Sequence, residues 1–218
     1  MGNVVVVIVA YLIGSIAFAV VVSKAFRLPD PHTYGSGNPG ATNVLRTGNR
    51  LAALLTLFGD ALKGFVAVMA TKEIAPLVNL PEEAVAMAAI AVFLGHLFPL
   101  FFKFKGGKGV ATAAGILFAI QWQLGLLTLA TWVVIAMFFR YSSLAALIAA
   151  IFAPLCSYFL TKSSVMLVAV SAISLLLIWR HRENIRKLMA GEETRIGDKK
   201  PDSAEGKQAD PSVGGKSA

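Results

Sequence analysis

Long apolar runs, each near the length of a bilayer crossing and separated by short polar segments, decide what this chain can fold into. Val4–Val22 contains only Gly14, Ser15 and Tyr11 among its apolar residues, and it is too long for the apolar region of a secretory signal. It is read as an uncleaved first transmembrane helix. Leu51–Ala70 and Ala84–Phe102 follow at the ~20-residue length a crossing requires. Composition agrees: 56% of the 218 residues are apolar and 15% are charged, where soluble domains carry about a quarter. The reading is an all-α integral membrane protein. A lone Cys156 inside an apolar run excludes a disulfide framework, and three histidines without paired cysteines give no expectation of a metal site.

After Gly109 the number of crossings needs an argument. Val110–Ile120 is short, Gln121-Trp122-Gln123 interrupts, and Leu124–Phe139 is apolar again up to Arg140. Leu144–Leu160 and Val165–Trp179 are two further runs. Basic residues favour cytoplasmic loops. Lys24, Arg27, Arg46 and Arg50 crowd the first loop, Lys103, Lys105 and Lys108 a second, and Arg180, Arg182, Arg186 and Lys187 follow the last run. The Thr71–Glu83 connection, with one lysine and three acids, belongs outside. Placing Arg140 inside as well requires two helices between Val110 and Phe139, hence a polytopic bundle of seven transmembrane helices with the N-terminus outside and the C-terminus cytoplasmic. Five helices, with 110–139 as one long crossing, is the rival. It would export Arg140. Residues 1–192 are expected to form a single transmembrane domain, and residues 193–218 a disordered cytoplasmic tail.

One loop stands out chemically. Lys103-Phe104-Lys105-Gly106-Gly107-Lys108-Gly109 packs three lysines and three glycines into seven positions, then opens directly into the Val110 helix. Glycines let backbone N–H groups approach a ligand closely, and the first amides of a helix are unpaired donors at its positive end. Lys105 and Lys108 add full charges. A phosphate held at the membrane surface fits this loop, whereas positive-inside placement alone explains the lysines but not the glycines.

Seven helices bring the other polar loops to the same face. Ser36, Asn38, Thr42 and Asn43 offer neutral hydrogen-bonding groups beside Gly40, with Arg46 near the second helix. Ser143 lies in the Arg140-Tyr141-Ser142-Ser143 corner, and His181 and Asn184, three apart, share a face if helical. Asp60, in the second helix, is one turn from Lys63; an ion pair, bracing of a loop cation and direct catalysis all remain open. His96 is read as an interior histidine bonded across helices. Gly35–Gly40 matches G-x-G-x-x-G only by counting, because no strand precedes it, and Gly109 after Lys108 rules out a P-loop.

Three runs carry a resemblance. Ser36-Gly37-Asn38-Pro39-Gly40-Ala41-Thr42-Asn43, Lys105-Gly106-Gly107-Lys108-Gly109-Val110-Ala111-Thr112 and His181-Arg182-Glu183-Asn184-Ile185 resemble, in order and spacing, the signature motifs of the bacterial acyl-phosphate:glycerol-3-phosphate acyltransferase family. The Asp60–Gly64, Gly95–Pro99 and Arg140–Leu144 stretches look like its secondary landmarks. The resemblance spans Val4 to about Glu192. It implies a multi-pass enzyme of the bacterial inner membrane, working at the cytoplasmic face. The reaction it implies moves an acyl group from acyl phosphate to the first hydroxyl of sn-glycerol 3-phosphate, giving lysophosphatidic acid and phosphate, with a functional link to an enzyme that supplies acyl phosphate. By the same resemblance His181, Lys105 and Asn184 are catalytic. Ser36, Asn38, Gly40, Thr42, Asn43, Arg46, Gly106, Gly107, Lys108, Gly109 and Ser143 hold substrate. His181 or a substrate phosphate takes the proton. No cofactor and no nucleic acid is expected.

A carrier for a phosphorylated anion is the competing class. It too needs cations and broken helices, but at the bilayer midplane with two-sided access.

Overall fold

The computed structural model describes residues 2–197. Among them the regular elements are all helical. In chain order they are α1 (Gly2–Gly14), α2 (Phe18–Ala25), α3 (Ala41–Leu45), α4 (Arg50–Ile74), α5 (Glu82–Leu97), α6 (Val110–Ile120), α7 (Trp122–Phe139), α8 (Ser142–Thr161), α9 (Ser164–Arg180) and α10 (Arg182–Met189), with short 3-10 turns at Ala75–Val78 and Leu100–Phe102. Each of the seven predicted apolar runs forms helix. Five segments have the length and hydropathy to cross a bilayer, and a sixth is added if α9 and α10, bent by 56° at His181, count together.

Two predicted elements need correction. The first run is not one helix: it breaks at Ser15–Ala17, between α1 and α2. The break frees the Ile16 carbonyl, which accepts a 2.7 Å hydrogen bond from Lys63 Nζ. A buried ammonium thus gains a partner that a continuous helix would have kept for itself. The second helix also runs past its apolar edge at Ala70, to Ile74. The extra turn carries Lys72, whose amine donates to the carbonyls of Ala119 and Ile120. Those are the last carbonyls of α6, a helix of 11 residues and about 16 Å at ~1.5 Å per residue, too short to span a ~30 Å core.

Small residues let the central helices touch. A Cβ at Gly115 on α6 would collide with the Ala61 carbonyl of α4, and one at Gly64 on α4 with the Thr112 carbonyl of α6. Gly14 and Gly95 repeat the arrangement between α1 and α5, against Val92 and Tyr11. Without a hydrophobic force between helices in lipid, such backbone contact is what holds them. Phe93, Leu97, Ile116 and Leu124 fill the centre with no exposed surface. Outside, Met137 and Phe138 on α7 are 74% and 81% exposed, which suits an acyl-chain environment and no aqueous one.

The described part of the predicted tail, 193–197, lies against the bundle. The Ile196 amide donates to Arg140 O, Arg140 Nη2 donates to Ile196 O, and Arg195 Nε donates to Tyr141 Oη. The remainder, 198–218, falls outside the described residues.

Candidate active site

Local structure at the glycine loop follows from its residue types. Lys103 and Phe104 both adopt left-handed backbone, with φ of 54° and 59°, and turn the chain back after α5. Gly109, at φ 87°, caps α6, and a side chain there would meet the Phe93 ring. Gly106, Gly107 and Gly109 are buried, and Lys108 is half-buried.

Arg180, at the end of α9, fixes the loop's orientation. Its Nη2 donates to Gly106 O at 2.9 Å and to Gly107 O at 3.1 Å, and its Nε donates to Gly107 O at 3.2 Å. The bonds are trans, so in each peptide the N–H points opposite to the C=O. With the two carbonyls turned to Arg180, the N–H groups of Gly107 and Lys108 face the other way. Among the described residues none of the amides of Gly106, Gly107, Lys108 and Gly109 meets a protein acceptor. Backbone amides in a largely buried loop are rarely left so, and with the free first turn of α6 beside them they make a nest of donors whose chemistry suits an anion.

Charged and polar side chains ring this nest. Lys108 Nζ donates to Asn184 Oδ1 at 2.5 Å, Asn184 Nδ2 donates to Glu193 Oε1 at 2.7 Å, and Ser143 Oγ donates to the same oxygen at 2.6 Å. Burial holds the Lys108 ammonium below the ordinary lysine range, and Glu193 opposes that shift; Lys187, Arg180 and Arg46 add to it.

His181, at the bend between α9 and α10, is 3% exposed. Its Nδ1 lies 2.8 Å from Leu177 O. A carbonyl can only accept, so Nδ1 carries the proton and the neutral ring keeps its lone pair on Nε2. Burial, helped by the Lys108 and Arg180 cations, lowers the imidazole pKa to about 4.

The predicted residues of the first loop divide into two kinds. Asn43 is a brace: Nδ2 donates to Pro31 O at 2.8 Å and Tyr34 O at 3.2 Å, while Oδ1 accepts from Ser36 N at 3.0 Å. Gly40 caps α3 in extended backbone, with Asn38 Nδ2 beside it, and Asn38 N donates to Ser36 Oγ at 3.4 Å. Ser36, Thr42, Arg46 and Lys105 are exposed. The side chains of Arg46 and Lys105 have no hydrogen bond or ion pair among the described residues. His32 ties the two loops, with Nδ1 at 2.7 Å from Asp30 Oδ1 and Nε2 at 3.0 Å from Lys105 O.

The fold therefore brings the glycine loop, Lys108, Ser143, His181 and Asn184 together, leaves Arg46 and Lys105 as uncommitted cations at the rim, and gives Asn43 to the loop itself. Sequence reasoning missed Arg180 and Glu193. Arg180 was readable only as a topogenic charge, and Glu193 has no spacing signal at all. Among the described residues no three His, Cys, Asp or Glu side chains gather closely enough to hold a metal ion.

Comparison with known proteins identifies the family. Residues 4–191 match the family model described as glycerol-3-phosphate acyltransferase. A glycerol-3-phosphate acyltransferase of Cupriavidus necator is 64% identical over 200 residues, covering 92% of this chain and 99% of the relative. That of Paraburkholderia phymatum is 62% identical, covering 92% and 95%. The crystal structure of PlsY (YgiH), an integral membrane glycerol 3-phosphate acyltransferase, in its glycerol 3-phosphate form superposes with a TM-score of 0.84 at 38% identity, covering 90% of this chain and 96% of that one. Its lysophosphatidic acid form gives 0.82. The chain belongs to the glycerol-3-phosphate acyltransferase family.

Proposed function

We propose that this protein transfers a fatty acyl group from acyl phosphate to the first hydroxyl of sn-glycerol 3-phosphate, releasing lysophosphatidic acid and inorganic phosphate, the opening step of phospholipid synthesis. The observation that carries the reading is the pair of N–H groups at Gly107 and Lys108 without a protein acceptor, turned away from Arg180 beside Lys108, Ser143, His181 and Asn184.

Two anions must meet, and their repulsion is the first obstacle. The glycine nest and the α6 N-terminus take one phosphate; Arg46, Lys105 and Ser36 take the other. An acyl phosphate is already activated, so positioning and charge neutralisation are most of the task. His181 Nε2 and the Asn184 amide orient the hydroxyl toward the donor's carbonyl carbon. The hydroxyl oxygen bonds to that carbon, and the carbon–oxygen bond to phosphate breaks. The proton goes to the departing phosphate. With its pKa held near 4, His181 is a weaker base than a phosphate whose second pKa lies near ~6, so it aligns the hydroxyl and does not keep the proton.

The reading includes seven crossings, an outward N-terminus and a site on the cytoplasmic face of the bacterial inner membrane. The basic loops flanking the site support that orientation. An enzyme supplying acyl phosphate is the implied functional partner. The test is lysophosphatidic acid formation by purified protein in proteoliposomes given glycerol 3-phosphate with acyl phosphate or with acyl-CoA. Formation with acyl phosphate alone is expected, and counterflow of labelled anion without acyl transfer would establish a carrier instead.

A further inference from the structure

Beneath the glycine loop lies a chain of polar side chains that the proposed reaction does not use. Lys63 Nζ sits 2.8 Å from Asp60 Oδ1 on α4. Asp60 Oδ1 is 3.5 Å from His96 Nδ1 on α5, and the same ring nitrogen lies 3.1 Å from Thr112 Oγ1 on α6. All four residues are less than 8% exposed. An Asp60–Lys63 ion pair would be complete without His96. The imidazole's other edge shows what it adds. A Cβ on Gly107 would collide with His96 Nε2, and a Cβ on Gly106 would collide with the His96 carbonyl. Side chain and backbone of one residue thus form the floor on which both glycines rest, while Arg180 holds their carbonyls from the side.

We infer that His96, anchored by Thr112 with the Asp60 carboxylate beside it, is a positioning residue that sets Gly106 and Gly107 so that the amides of Gly107 and Lys108 face the bound phosphate. The chain of partners explains why three helices each carry a buried polar residue at this level. α4 supplies the carboxylate, α5 the ring and α6 the hydroxyl, and α6 is the helix whose N-terminus completes the nest. Shifting any one of them moves the floor relative to the anion. The inference rests on the reading that the nest holds a phosphate, and not on the identity of the acyl donor.

The test combines steady-state kinetics with equilibrium dialysis against labelled inorganic phosphate, for the wild type, His96→Ala, Gly107→Ala and the double variant. His96→Ala is expected to raise the phosphate dissociation constant by about tenfold, together with the KM of the substrate whose phosphate the nest holds, with kcat changed far less. Gly107→Ala pushes a methyl into the ring and does the same more severely. In the double variant the methyl enters the space the ring has left, so its defect should be smaller than the product of the two single defects. Should His96→Ala not fold, Thr112→Val leaves the ring in place but unanchored, and the same joint shift is expected. Unchanged phosphate affinity in these variants, or single defects that simply multiply, would overturn the inference. A wild type that binds phosphate yet transfers no acyl group would instead remove the proposed reaction and leave this positioning role standing.

Discussion

Arg180 grips the carbonyl of Gly107 twice, through Nε at 3.2 Å and Nη2 at 3.1 Å, and the amide of Lys108 in that same peptide is thereby aimed away from it. A fork of donors can hold a peptide plane in one orientation, which a single ammonium cannot. Arg180→Ala should therefore weaken phosphate binding by about tenfold or more, since charge-assisted hydrogen bonds contribute ~1.5 to 3 kcal/mol each when buried. Arg180→Lys should recover only part of the loss. Equilibrium dialysis against labelled inorganic phosphate is the readout, and an unchanged affinity in the alanine variant would dismiss the clamp.

Glu193 accepts from Ser143 and Asn184 through one oxygen. A glutamine carbonyl can accept both bonds in the same place, whereas alanine leaves two donors without a partner. Glu193→Gln should thus stay near wild type in thermal stability, while Glu193→Ala should lose about 1 to 3 kcal/mol along with most activity. Equal melting temperatures for the two variants would show that the contacts contribute nothing.

The His181 imidazole stays neutral at physiological pH because burial disfavours its charged form, with a pKa of about 4. The folded state then binds fewer protons than the unfolded chain between roughly pH 4 and ~6.5, so stability must fall as pH drops through that window. Melting temperatures at pH 7 and pH 5 should differ more for the wild type than for His181→Asn. The imidazole resonance of the substrate-free protein should titrate near 4. A midpoint at the ordinary histidine value would refute both the burial argument and the assignment of the proton to phosphate.

Much of this was legible in the chain itself, for a physical reason. The glycine and lysine loop, the Ser36–Asn43 loop and the His181–Asn184 pair are local patterns, and nearby residues fix what they can do. A carboxylate inside an apolar run needs a partner, which makes an Asp60–Lys63 ion pair one of three roles open to Asp60 in the sequence, and the pair is formed. What stayed hidden depends on partners far along the chain. The break after Gly14 exists for Lys63, 47 residues beyond Ile16, and a glycine-serine step in an apolar run gives no notice of it. Arg180 has the same sequence signature whether it faces lipid headgroups or two carbonyls. Glu193 sits in a polar stretch where composition predicts no structure, yet the two donors it accepts from lie on α8 and α10.

Lys72 offers the control that separates stability from catalysis. α6 ends at Ile120, and the last carbonyls of a helix have no partner in their own helix. Lys72 reaches across from α4 and donates to Ile120 O at 3.0 Å and more weakly to Ala119 O at 3.4 Å, at the helix end that is also negative by its dipole. Lys72→Met keeps the aliphatic stem but removes the donor, and should destabilise the fold by roughly 1 to 3 kcal/mol. The nest lies at the opposite end of α6, so the folded fraction should retain its KM for glycerol 3-phosphate. Lys72→Arg, which restores a cationic donor, should regain most of the melting temperature. A Lys72→Met protein with an unchanged melting temperature would mean that the short helix does not need this cap, and a raised KM would mean that the far end of α6 governs the nest.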